Sequence, residues 1–156
     1  MTVGVFTFTD AGSLACRKNI IDLENDTIVG VLVDAAHTPS VVNDDVYSDI
    51  SANECDDADY IASFAEGHVI TNIAWTLQST RNFKLDADDL DFGNAVTIAA
   101  KYLYLLKRAG ASLVAGDLIV GFMDLQTEGG NASSTNGNFD PGWDPTNGLF
   151  VDTLTP

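Results

Sequence analysis

Apolar positions in this chain come in short, β-favouring runs separated by acidic or glycine-rich connectors. Val3 to Thr9 interleaves Val and Phe with small polar residues and predicts a short strand. Thr27–Asp34, TIVGVLVD, is apolar at almost every position, the pattern of a strand buried on both faces. Val69–Leu77 (VITNIAWTL), a segment beginning at Phe83–Leu85, and Leu118–Leu125 read as further strands. Phe139 to Trp143 and Leu149 to Leu154 close the series. Val96 to Leu106 is the ambiguous run. It holds good helix formers, with Tyr102, Leu105 and Leu106 at helical spacing. No cap precedes it, however, and Tyr102 and Tyr104 alternate with Leu103 and Leu105, so strand is the preferred reading.

The connectors carry the turn chemistry. Asp10 is positioned to cap a brief helix over Ala11–Lys18. Asp22 to Asp26 is an acidic turn, and Pro39 ends the strand region before it, since proline supplies no ladder donor. Asn43 to Ile50 predicts one or two helical turns, while Cys55 to Gly67 has no clear pattern. Glu128 to Asn138 is rich in Gly, Asn, Ser and Thr and reads as an exposed loop; Asp144 to Gly148 is a turn. Seven or so short strands at this spacing predict one domain over residues 1–156. It is mainly β, an antiparallel β-sandwich or jelly-roll-like barrel with one or two short helices.

Charge narrows the partners. Seven Lys and Arg stand against 23 Asp and Glu, a net charge of −16. Such a surface repels nucleic acid and anionic lipid, so neither is an expected partner. Apolar residues make up 46%, enough for a packed core. The N-terminus has no basic start followed by an apolar run, and no stretch approaches the ~20 apolar residues of a membrane span, so synthesis in a cytoplasm is expected. Cys16 and Cys55 match no metal spacing and read as small apolar residues.

Few residues suggest chemistry. Asp86, Asp88, Asp89 and Asp91 form the densest acid cluster and are the candidate cation ligands. The glycine and bidentate glutamate of a calcium loop are missing, which favours a solvated acidic turn and no metal or other cofactor. His37 and His68 have no partner that sequence reveals, and Ser13, Ser40 and Ser112 lack a nucleophile elbow. No nucleophile, base and orienter can be assembled, so no enzymatic activity is expected. Trp75, Trp143, Phe139 and Phe150 read first as core aromatics and second as an exposed platform for sugar rings.

Two segments carry a resemblance. Ile21–Glu54 has an acidic turn before a strand, then Thr38-Pro39, Tyr47-Ser48-Asp49-Ile50 and Ser51-Ala52-Asn53-Glu54. Leu85–Phe150 has the LDADD step, the strand through Lys101-Tyr102, Gly121-Phe122-Met123-Asp124, a Ser/Asn/Gly loop, then Phe139, Trp143 and Asn147-Gly148. In this order they resemble a family of small structural proteins of tailed-bacteriophage virions. The chain departs from that pattern in CDDADYIASFAEG, where a glycine-rich turn is usual, in the leucine-rich tyrosine strand, and in the Asp-Pro pairs around Trp143. The resemblance implies a virion location and a capsid decoration (cement) protein on the outside of the head. Such a protein would stabilise capsomer boundaries as a trimer bound to the major capsid protein. A head-fibre, tail or neck component, with host-glycan binding, is the alternative. Chain ends often add a strand to a neighbour, so Val3, Val5, Phe6, Phe8, Val151 and Leu154 are candidate partner contacts.

Overall fold

A computed structural model describes residues 4–127, 129–143 and 148–153. Among these the chain forms ten strands and two short helices, and every strand pairing is antiparallel. The fold is mainly β and sandwich-like, as the pattern of short runs predicts.

The organising element is β2 (Ile28–Val33), the strand read from TIVGVLV. It sits inside a five-stranded sheet with β1 (Thr7–Phe8), β8 (Leu118–Asp124), β7 (Tyr102–Lys107) and β3 (His68–Val69), in the order β1-β8-β7-β2-β3. All six residues of β2 are buried. Val29, Val31 and Val33 enter one core with Ile50, Tyr104, Leu106 and Ile119. Ile28 and Leu32 enter a larger core on the opposite face with Leu103, Leu105 and Val120. Each such side chain contributes about 1.5–3 kcal/mol on full burial, so both faces of the sheet must be covered.

The larger core is closed by two smaller sheets and both helices. A three-stranded sheet, β10-β5-β4, comprises β10 (Phe150–Thr153), β5 (Asn82–Asp86) and β4 (Ala74–Ser79). The pair β6-β9 comprises β6 (Val96–Ala100) and β9 (Ala132–Gly137). Helix α1 (Asp10–Arg17) contributes Ala15 and α2 (Ala58–Phe64) contributes Tyr60. Gly12 lets α1 lie on β8, because a Cβ there would sit 2.2 Å from the Val120 carbonyl oxygen.

Several expectations are corrected. The cap of α1 is Thr9, whose Oγ1 accepts from the Gly12 amide at 3.0 Å; Asp10 is already inside the helix. The single strand expected over Val96 to Leu106 is two strands in two sheets. The break is Lys101, whose amide donates to the Val33 carbonyl at 2.9 Å and whose carbonyl accepts from Leu125 at 2.9 Å. Its ammonium is satisfied by Asp124 Oδ1 at 2.8 Å and the Gln126 carbonyl, which allows a lysine to be buried at a sheet junction. Val69–Leu77 also divides, into the end of β3 and most of β4, around Asn72 at φ 54°.

The polar segment read as a loop contains β9, whose small side chains fit against β6; Glu128 itself lies outside the described residues. Phe139 to Trp143 is irregular and buries its aromatics without a ladder. The segment Val3 to Thr9 reduces to β1, with Val3 outside the described residues. The one or two helical turns expected within Asn43 to Ile50 form as a single 3-10 turn, Tyr47–Asp49, and a second 3-10 turn, Ser51–Asn53, follows just beyond that segment. Residues 144–147 of the expected turn, and Leu154, lie outside the described residues.

Candidate functional site

Strand β4 is the outermost strand of its sheet, and five of its six residues are exposed. Its sequence, AWTLQS, belongs to a twelve-residue segment, Val69 to Thr80, without one charged side chain. In a chain of net charge −16 this is a neutral strip. Trp75 is 38% and Leu77 66% exposed. Free sheet edges present unpaired backbone groups and are usually guarded by charge, proline or a bulge. Here the guards are a register shift between Leu77 and Ser79 and the carboxylate of Glu24, whose Oε1 accepts the Trp75 amide at 3.0 Å. That amide therefore points away from β5, and the alternation of an antiparallel ladder turns the Leu77 backbone to the same open side.

Register sets the inner face. Trp75 lies opposite Leu85, and Leu85 opposite Phe150, so the three form one row across the sheet. Leu85 plugs the core, and the two aromatics flank it. Trp75 meets Phe150 edge-on at 6.3 Å, Phe150 meets Phe8 at 4.9 Å, and Phe8 meets Phe6 at 5.1 Å. Between this aromatic row and α1 lies a groove of about 480 Å³. Phe8, Trp75 and Phe150 supply its apolar wall; Ser13, Arg17, Asn19 and Glu24 supply polar groups around it, with Cys16 and Asp22. Arg17 has no salt-bridge partner among the described residues. Burial raises the Cys16 thiol above its ordinary range.

The four candidate cation ligands face different partners. Asp86 pairs with Lys84 at 2.7 Å. Asp88 Oδ2 accepts from Thr71 Oγ1 at 2.7 Å and Asn72 Nδ2 at 2.6 Å. Asp89 Oδ1 accepts the Trp143 amide at 3.0 Å, and Asp91 Oδ1 the Gly93 amide at 2.7 Å. Their carboxylates thus staple local turns and the 139–143 segment. No group of three or more His, Cys, Asp or Glu among the described residues is placed to hold a metal ion. Asp140 lies beside Asp91; burial and that neighbouring carboxylate raise its pKa.

The remaining sequence candidates are tied into the framework. His37 Nε2 lies 3.0 Å from Asp44 Oδ2, which also accepts from the Ser40 amide and the Tyr104 hydroxyl. Ser40 Oγ is turned to Asn43, so Ser40 meets Asp44 through its backbone and not its hydroxyl. His68 stacks on Phe64 at 4.9 Å and bridges to the Asp91 carbonyl at 2.9 Å. Ser112 is exposed, and Ser13 borders the groove. Phe139 and Trp143 are buried, so the platform reading fits only Trp75 and the half-buried Phe150. Phe6 is core, Phe8 and Val151 are half-buried, and Val5 is 86% exposed.

Sequence reasoning did not find the buried Glu54 with its two tyrosine partners. Glu54 accepts hydroxyl hydrogen bonds from Tyr47 and, at 2.7 Å, from Tyr60. Burial raises its pKa, and the two tyrosines work against that shift. Nor did it find Arg17 or Glu24 as groove residues; the one available signal was the missing charge around Trp75.

No helix among the described residues is long and apolar enough to cross a membrane. Comparison of the chain with protein-family models, with curated proteins and with solved structures finds no match.

Proposed function

We propose that this chain is a structural protein of a tailed-phage virion, a decoration protein that docks on the outside of the head against the major capsid protein. The observation that carries the reading is the β4 edge: neutral, exposed and apolar at Trp75 and Leu77, on an otherwise strongly acidic molecule. A strand with open backbone groups and projecting apolar side chains is suited to pairing with an edge on another protein. Acidic surface elsewhere restricts adhesion to that strip and keeps coated particles apart. Docking as a trimer would multiply a weak edge contact into retention on the particle. The resemblance of Ile21–Glu54 and Leu85–Phe150 to small virion proteins supports the same reading.

Quantitative mass spectrometry of purified virions tests it. A ratio to the major capsid protein near one, or a simple fraction such as one third, is the expected result. A dozen copies or fewer per particle would move the chain to a neck, tail or fibre. Absence from the particle would overturn the virion reading.

A further inference from the structure

We propose that the groove between α1 and the three-stranded sheet is a binding site for a neutral saccharide. The inference does not rest on the particle reading, since it follows from the chemistry around the groove.

A sugar ring has two chemically different surfaces. Its C–H faces prefer a flat aromatic ring, while its hydroxyls, set around the rim, need both donors and acceptors. The groove offers both. Trp75, partly exposed and braced edge-on by Phe150, supplies a ring that other aromatics hold in place. Phe150 is braced in turn by Phe8, so this wall is already assembled without a ligand. Around it stand an arginine with donors only, an asparagine and a serine that each donate and accept, and a glutamate that accepts.

Two of these groups are poised. Glu24 is anchored through Oε1 to the Trp75 amide, which fixes the carboxylate beside the ring it would serve. Arg17 has no carboxylate partner among the described residues, although Asp22 and Glu24 line the same groove. Asp22 is engaged instead by the Glu24 and Asn25 amides and the Asn25 side chain. At about 480 Å³ the groove falls within the usual range for small-molecule sites. Charge sets the ligand class. One arginine against two carboxylates leaves the groove acidic, on a molecule of net charge −16, which disfavours uronic acids, sialic acids and phosphorylated polymers. Neutral hexoses and N-acetylhexosamines fit.

The test uses the full-length chain with maltohexaose, chitotetraose and mannohexaose as neutral probes and oligogalacturonate as the acidic one. Proton–nitrogen spectra resolve the two indoles separately. Trp143 Nε1 is committed to the Asp88 carbonyl at 2.9 Å and serves as the internal control. At least one neutral probe is expected to shift the Trp75 indole in a saturable way and to slow alkylation of Cys16. Trp75→Ala should weaken binding roughly tenfold, the scale of one stacking contact. Trp75→Phe should keep most of it, and Leu77→Ser, on β4 but outside the groove, should leave it unchanged. Failure of every neutral probe, preference for oligogalacturonate, or binding that survives Trp75→Ala in a folded variant would overturn the proposal.

Discussion

The hydroxyl of Tyr104, in the middle of the central sheet, donates to Asp44 Oδ2 at 2.7 Å and so fastens the connector after β2 onto that face. Asp44 is buried, and the same oxygen accepts the Ser40 amide at 2.9 Å and faces His37 Nε2 at 3.0 Å. Tyr104→Phe removes one donor from a buried carboxylate. It is expected to cost about 1–3 kcal/mol, read as a fall in the urea midpoint with the slope unchanged. An unchanged midpoint would show that the other two partners suffice.

Three of the four tyrosines give the protein an alkaline limit. Burial, reinforced by Glu54 for Tyr47 and Tyr60 and by Asp44 for Tyr104, holds their hydroxyls well above the ordinary tyrosine range. A folded-state pKa above the unfolded one means the native state keeps the proton longer. The stability this provides is complete below the unfolded value of about 10 and is lost as pH rises beyond it. Urea midpoints should therefore fall between pH 9 and pH 11. Tyrosinate absorbance from these three residues should appear together with unfolding, and its appearance in the folded protein would refute the assignment.

The cysteines should separate by reactivity. Burial, with Asp57 and Asp34 nearby, pushes the Cys55 thiol up to about 12, and its Sγ faces Asp57 and the Ala99 carbonyl. Cys16 is raised by burial as well but borders the open groove. Iodoacetamide at pH 8, followed by peptide mass spectrometry, should label Cys16 slowly and Cys55 only after denaturation. Labelling of Cys55 in the native protein would reveal opening between α2 and β6.

Gly12 is a packing requirement. A methyl group there would meet the Val120 and Ile119 carbonyl oxygens at 2.2 and 2.6 Å, both backbone atoms of β8. Gly12→Ala should cost about 3 kcal/mol or more, despite alanine's better helix propensity, because α1 must lift from the sheet. A stabilised variant in thermal melts would contradict the close approach of α1 to β8.

Chelation offers a further check. Asp86, Asp88, Asp89 and Asp91 spend oxygens on Lys84, Thr71, Asn72, Trp143 and Gly93. EDTA should leave the melting temperature unchanged, and a fall of several degrees would show that these oxygens hold an ion instead.

How much of this was legible in the sequence depends on the kind of signal. The strand at Ile28–Val33 was plain because a segment buried on both faces must be apolar throughout. Break points were not. Nothing in AAKYLYLL marks Lys101 as the residue where the chain leaves one sheet for another, since that role depends on Val33, Leu125 and Asp124, all distant in sequence. Strand β9 was hidden because Ser, Thr, Asn and Gly favour loops locally, and only pairing with β6 overrides that preference. Helix α2 is short and mostly exposed; its one clear mark was Tyr60 and Phe64, four residues apart and both turned toward Phe92. The groove was half visible. Trp75 and Phe150 stood out as aromatics, but the register that aligns them and the turn that brings Glu24 to Trp75 are tertiary facts.

The neutral edge at β4 also governs how the protein behaves in a test tube. At neutral pH, mutual repulsion between molecules of net charge −16 keeps those edges apart. Salt screens that repulsion, and acid removes it as the net charge falls toward zero. Concentrated stocks should therefore cloud on mild acidification, and Leu77→Lys should keep them clear.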